Sequence, residues 1–264
     1  MKKILFPTDF SDRAACALDV VVELANRLKH VQLTLYHAYM DSVYAPVNTS
    51  YLEQEVAKEM NRTYNRIRPK LVNCVELETI VECANTIPAI CRFAEQFDLV
   101  AMGTQGSTGR QEVFLGSVTN GVVKKTQTPV LVFPNQHTFK SIENIVLALD
   151  NESVSDPKGV EWINTLRRLF DADLMLFHTE EKAFDRGIDE HVMQLFDEPS
   201  FTIDYNFIGK SVSESLQDMV TDYDVDLLCM VRRKRGLLAN LFRLSQTSVE
   251  VFRTKIPLLI LHDV

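Results

Sequence analysis

The chain is written twice, and that duplication limits its fold more than any other feature. KKILFPTDFS at the start and ENIVLALDNE at 143–152 are both short apolar runs that end in an aspartate, Asp9 and Asp150. After the first, Ala14, Leu18, Val21, Ala25 and Leu28 recur at alternating spacings of four and three; after the second, Ile163, Leu166 and Phe170 do the same, the rhythm of a helix with one apolar face. Each half then has an apolar strand carrying a histidine, LTLYHAY (33–39) and LMLFHTE (174–180). VELETIVE (75–82) and FTIDYNFI (201–208) read as third strands, followed by the helices TIPAICRFAEQF and SVSESLQDMVTDY. DLVAMG (98–103) and DLLCMV (226–231) read as fourth strands, TPVLVF (128–133) and IPLLIL (256–261) as fifth.

Strands that alternate with helices, several of them apolar throughout, predict parallel sheets covered on both faces and joined by right-handed crossovers. The expected fold is therefore α/β: two tandem doubly wound, mostly parallel five-stranded sheets of Rossmann-like type. The polar stretch NQHTFKSIE (135–143) is the natural linker, giving domains at 1–137 and 138–264.

Composition narrows the partners. A net charge of -8 gives no general attraction to nucleic acid or an anionic membrane surface. The opening MKKILFPTDF has only a short apolar run, broken by proline and aspartate, so no signal peptide is expected. Five cysteines, an odd number with no CxxC, argue against a disulfide framework or a thiolate zinc site and suggest reduced thiols and a cytoplasmic location.

Glycine is concentrated in one place. Of nine glycines, four fall within MGTQGSTGRQEVFLGS (102–117), Gly121 lies just beyond, and the first half has no other. In open α/β sheets ligands bind beyond the carboxyl ends of the strands, where the strand order reverses. A backbone without side chains, leaving a strand and entering a helix near Ser117, suits a phosphate, because the first turn of a helix offers free N–H groups and the positive end of its dipole. The plainer alternative is a glycine turn with Ser117 as helix cap. Asp9 likewise reads either as a ligand contact or as a cap of the following helix, for which Ser11 is better placed. His37 and His178 hold matching strand-end positions, where a histidine is more often structural.

PTDFS, AMGTQGSTGRQEVFLGS and TPVLVF together resemble the universal stress proteins, whose ATP-binding members carry Gly, two residues, Gly, nine residues, Gly, then Ser or Thr. The match runs over residues 2–134, and the second half is similar in element order alone. The resemblance implies a stress-response regulatory protein that binds ATP, with or without Mg2+. The loop of Gly103, Gln105, Gly106 and Gly116, with Ser117, would hold the phosphates, the amides of Gly106, Ser117, Val118 and Thr119 donating. Asp9 would take the ribose hydroxyls; Pro7, Thr8 and Ala38 would border the adenine, and Met102 would form the pocket floor. Family members pair through the last strand, which implies that the two halves pair with each other; a homodimer and regulatory protein partners stay open.

The second half departs from this pattern. A shift of 128 residues sets Val231 opposite Gly103, Lys234 opposite Gly106 and Leu244 opposite Gly116, and only Ser245 matches, opposite Ser117. Its loop, VRRKRGLLANLFR, gathers Arg232, Arg233, Lys234, Arg235 and Arg243, which suits either an anionic partner or a solvated surface. Motifs for phosphate-cradling lysine loops, zinc hydrolysis and serine nucleophiles are missing. The loop's Glu112 and Arg110 form no convincing catalytic set, so at most slow ATP hydrolysis is expected, with no catalytic or metal-binding residues. The alternative function is a nucleotide-independent interaction scaffold or pseudo-dimer that binds proteins or another small ligand. MDSVYAPVNTSYL (40–52) is expected to be a loop near the site.

Overall fold

A computed structural model describes residues 1–40, 49–104, 115–134, 137–149, 154–180, 192, 194–196, 201–206, 212–233 and 256–262. Among these the chain divides into two compact units, the break falling between Phe139 and Lys140.

The first unit runs β1 (Lys2–Pro7), α1 (Asp12–Leu28), β2 (Val31–Tyr39), α2 (Thr49–Ile67), β3 (Val75–Cys83), α3 (Thr86–Ala94), β4 (Leu99–Gly103), α4 (Ser117–Lys125) and β5 (Val130–Phe133). Its strands lie in the order β3-β2-β1-β4-β5, and every pair is parallel. β1 is therefore flanked by β2 on one side and β4 on the other, which places the reversal of strand order at its carboxyl end. Ile4, Leu5, Phe6, Leu33, Leu35, Leu99, Val100 and Ala101 are fully buried, as expected for central strands with both faces covered. On α1, Ala14, Leu18, Val21 and Ala25 are buried, as the sequence periodicity predicts. The helix starts at Ser11, whose hydroxyl accepts the Ala14 amide at 3.2 Å, so Ser11 and not Asp9 is its cap.

Two features of this unit differ from the sequence expectation. The stretch expected to be a loop over 40–52 already contains the start of α2 at Thr49, while residues 41–48 lie outside the described residues. α2 buries Val56, Met60 and Ile67, and it ends where Pro69 cannot continue the pattern. Gly121 lies inside α4, where a Cβ would overlap the side chain of Ile87 on α3. That glycine serves close helix–helix packing.

The second unit runs β6 (Asn144–Leu149), α5 (Pro157–Phe170), β7 (Asp173–Glu180), β8 (Phe201–Asn206), α6 (Val212–Asp222), β9 (Leu227–Arg232) and β10 (Leu258–His262). The order is β10-β9-β6-β7-β8, again with parallel pairs. α5 is capped by Asp156, a buried carboxylate that accepts from Gly159 N at 2.9 Å and from His262 N, at the end of β10, at 2.8 Å. Gly159 is required here, because a Cβ would overlap Leu261. Trp162 on α5 is among the largest fully buried side chains.

All five cysteines are free thiols: Cys16 and Cys83 are exposed, Cys74 and Cys91 intermediate, Cys229 buried. Burial raises the pKa of Cys91 and raises that of Cys229 far more, and only the thiolate is a nucleophile. Dithionitrobenzoate at pH 8 will therefore modify Cys16 and Cys83 first, and Cys229 only when the protein is denatured. Release of all five thiols in one fast phase from native protein would contradict this burial.

Candidate functional site

Where the strand order of the first unit reverses, the chain ends of β1, β2 and β4 surround a cavity of about 240 Å3. β1 and its following turn supply Pro7, Thr8 and Asp9; β2 supplies Tyr36, His37 and Ala38; β4 supplies Met102 and Gly103. Gly116, Ser117, Val118 and Thr119 close it from the start of α4, with Thr86 and Ile90 of α3 and Ala14 of α1 completing the wall. Ten of the twelve positions selected from the sequence line this one cavity. The other two, Gln105 and Gly106, lie outside the described residues, as do Arg110 and Glu112.

The turn after β1 is closely tied. Thr8 N donates to Tyr36 O at 2.9 Å, extending the β1–β2 ladder by one residue. Thr8 Oγ1 accepts from Phe10 N at 3.1 Å, and Asp9 Oδ1 accepts from Ser11 N at 3.1 Å and Ser11 Oγ at 2.6 Å. The carboxylate of Asp9 thus sits at the cavity in an exposed position, held by the residue that caps α1.

The two ends of the glycine segment are pinned together. Thr104 N donates to Phe133 O at 2.8 Å, Gly116 N to Thr104 O at 2.5 Å, and Thr119 Oγ1 to Gly103 O at 2.9 Å. The N-cap of α4 is Gly116, which has no capping side chain, and the first helical bond runs from Asn120 N to Gly116 O at 2.8 Å. Ser117 is therefore not the cap; it is the first helical residue and it is exposed. Among the described residues no side chain caps the first turn of α4, so the amides of Ser117, Val118 and Thr119 present the positive end of the helix at the cavity. Gly116 has φ -56° and ψ 159°, ordinary values for any residue, so its lack of a side chain matters for space and not for backbone conformation.

Among the described lining residues Asp9 is the one carboxylate, and there is no lysine or arginine. An anion in this cavity would be met by main-chain amides, the helix dipole and any cation it carries with it. No cluster of three His, Cys, Asp or Glu suited to a metal occurs among the described residues.

Sequence reasoning did not select Ala14, Tyr36, His37, Thr86 or Ile90. Tyr36 shows why: its buried hydroxyl donates to Glu82 Oε2 at 2.7 Å, and Glu82 also pairs with Arg92. That connection spans 46 residues across the β2–β3 ladder and has no local signature. Burial, then the Glu82 hydrogen bond, raises the Tyr36 pKa well above its ordinary value. The Tyr36 hydroxyl, then Arg92, lowers the Glu82 pKa. Because the folded-state pKa of Tyr36 is raised, its contribution to stability is full below the unfolded tyrosine value near pH 10 and is lost as pH climbs beyond it. In an alkaline absorbance titration Tyr36 will stay protonated through the ordinary tyrosine range and ionise only with unfolding. Tyr36→Phe should remove that late step; a late step of unchanged size would exclude Tyr36 as its source.

The matching edge of the second unit is built differently. The register Ile4↔Leu99 in the first unit corresponds to Ile145↔Leu227 in the second, so buried Val231 takes the strand-end position of Gly103. Arg232 follows, half-buried, with Nε enclosed and without a hydrogen-bond partner, and burial lowers its pKa. Asp150, Lys234, Arg235, Arg243, Leu244 and Ser245 lie outside the described residues.

Comparison with known proteins sets this geometry in a family. The model of the universal stress protein family matches residues 1–134. Universal stress protein MJ0577 of Methanocaldococcus jannaschii is 29% identical over 158 residues, covering 52% of this chain and 97% of that protein. Universal stress protein MJ0531 of the same organism is 33% identical over 140 residues, covering 50% and 81%. The crystal structure of a universal stress protein from Archaeoglobus fulgidus superposes with a TM-score of 0.72 at 14% identity, covering 98% of this chain and 96% of that one. At that identity the likeness is one of fold, an α/β, Rossmann-like arrangement on mainly parallel strands. No helix among the described residues is long and apolar enough to cross a membrane.

Proposed function

The chain belongs to the universal stress protein family, and from that membership we propose that its first unit binds an adenine nucleotide, ATP with Mg2+ as counter-ion, as a regulatory ligand. The carrying observation is that the uncapped first turn of α4 and the carboxylate of Asp9 line the same cavity. A helix start suits phosphate oxygens, and a carboxylate suits the hydroxyls of a ribose. In this reading the amides of Ser117, Val118 and Thr119, with Gly106, receive the phosphates beside Gly103, Gln105 and Gly116. Pro7, Thr8, Ala38 and Met102 enclose the base.

ATP acts here as a ligand, since the described lining offers neither a second carboxylate to orient water nor a lysine or arginine to stabilise a transferring phosphoryl group. The chain is read as a tandem: residues 1–137 form the nucleotide-binding domain, and 138–264 a related domain that carries Val231 where the first carries Gly103.

Thermal unfolding with and without ATP–Mg2+ tests the function directly. A ligand at one hundred times its Kd adds about 2.7 kcal/mol to the stability of the state that binds it, so the melting temperature must rise by several degrees. An identical melting temperature at millimolar ATP would leave the scaffold reading in its place.

A further inference from the structure

We propose that His37 is a positioning residue for Asp9, an inference that rests on the nucleotide reading of this cavity. His37 lies at the end of β2, half-buried, and lines the cavity. Its Nδ1 is 2.7 Å from Thr8 O. A carbonyl oxygen accepts and cannot donate, so Nδ1 carries a proton, and a neutral His37 is fixed as the Nδ1–H tautomer. The same imidazole packs on Phe10 with ring centroids 4.4 Å apart and an interplanar angle of 33°, while Tyr39 stacks at 6.4 Å on the next β2 position along that face.

These two contacts bracket Asp9 on both sides in sequence. Thr8, just before it, is held through its carbonyl by the ring nitrogen, and Phe10, just after it, is held through its ring. Phe10 has φ 60°, a left-handed conformation that a bulky side chain rarely adopts and that persists only where the surroundings enforce it. The turn needs that conformation to bring Ser11 N and Oγ back onto Asp9 Oδ1. The His37 side chain thus grips both neighbours of the exposed carboxylate, without itself being required to touch a ligand.

The test has two arms. In the first, isothermal titration with ATP–Mg2+ compares wild type, Asp9→Ala, His37→Ala, His37→Asn and the double variant Asp9→Ala/His37→Ala. Asparagine keeps an N–H where imidazole Nδ1 stands. Residues that act as one unit give non-additive losses, so His37→Ala should weaken binding about tenfold. Asp9→Ala should add less than about twofold in that background. His37→Asn should recover most of the affinity. Equal factors for Asp9→Ala in both backgrounds, or no recovery by asparagine, would overturn the proposal.

The second arm needs no ligand. Hydrogen exchange at the Phe10 and Ser11 amides, and 15N shifts of the His37 ring, are read in the free protein. The ring should show the Nδ1–H tautomer. His37→Ala should speed exchange at those two amides about tenfold and His37→Asn should restore protection, the behaviour of a local opening. An Nε2–H tautomer, or unchanged exchange in His37→Ala, overturns the positioning role. Absence of ATP binding in wild type, with the second arm as expected, counts against the nucleotide reading alone.

Discussion

On the proposed function, Gly116→Leu will abolish ATP binding by the first unit while leaving that unit folded. Gly116 lines the cavity and precedes α4, and its backbone, at φ -56° and ψ 159°, is open to leucine without strain. The added side chain stands at the residue that caps α4 and lines the cavity, next to the first-turn amides that the proposed function assigns to the phosphates. Affinity should fall at least about 100-fold, equivalent to about 2.7 kcal/mol. Leucine is a poor N-cap where glycine is tolerated, so the variant should also lose about 1 kcal/mol of stability, too little to unfold a domain. Titration calorimetry reads the first effect, and thermal melting without nucleotide the second. A variant that melts near the wild type and still binds ATP would show that phosphates do not sit at this helix start. The substitution also copies the leucine that the second half carries at the aligned position, Leu244, so it asks whether that difference alone separates the two halves.

The architecture was legible because it rests on period and polarity. β1, β4 and β5 are short runs of buried Ile, Leu, Val, Ala, Met and Phe, the pattern of covered parallel strands. The 128-residue shift that matches Gly103 with Val231 is the spacing found in the ladders, where Val100↔Val130 in the first unit corresponds to Leu228↔Leu258 in the second. α2 was harder to see, because its apolar positions, Val56, Met60 and Ile67, are separated by charged and amide residues that read as a polar connection. The helix start at Ser117 was legible, and only the plainer alternative, Ser117 as its cap, does not hold. Serine is a favoured cap, but the bond from Gly116 N to Thr104 O holds Gly116 extended, so Gly116 is the cap and the helix opens one residue earlier than a serine cap would imply.

Gly121 was counted with the loop glycines because it is close in sequence, yet its cause is Ile87 of another helix. Tyr36, Thr86 and Ile90 line the cavity through pairings made across the sheet and against α3, and no spacing rule carries such contacts. The common lesson is that positions dictated by local chemistry were readable. Those dictated by what a distant strand brings into place were not.

Asp156→Ala will destabilise the second unit by about 2–4 kcal/mol, combining the loss of a helix cap with the loss of a charge-assisted bond to a buried amide. One oxygen takes the Gly159 amide at the start of α5, the other takes His262 N at the end of β10, so a single buried side chain ties a helix to a strand 106 residues away. Asparagine has one acceptor oxygen where aspartate has two, hence Asp156→Asn should lose roughly half as much as alanine. The protein has one tryptophan, Trp162, buried on α5 beside this cap, so urea unfolding followed by its fluorescence reports the second unit. Midpoints in the order wild type, asparagine, alanine are expected; coincident midpoints would remove Asp156 as a tie. The contrast with the first unit is one of construction. There the cap is Ser11, and the neighbouring Asp9 remains exposed at a cavity. Here the capping carboxylate is buried with both oxygens bonded to main-chain amides, and β9 ends in valine and arginine where β4 ends in glycine.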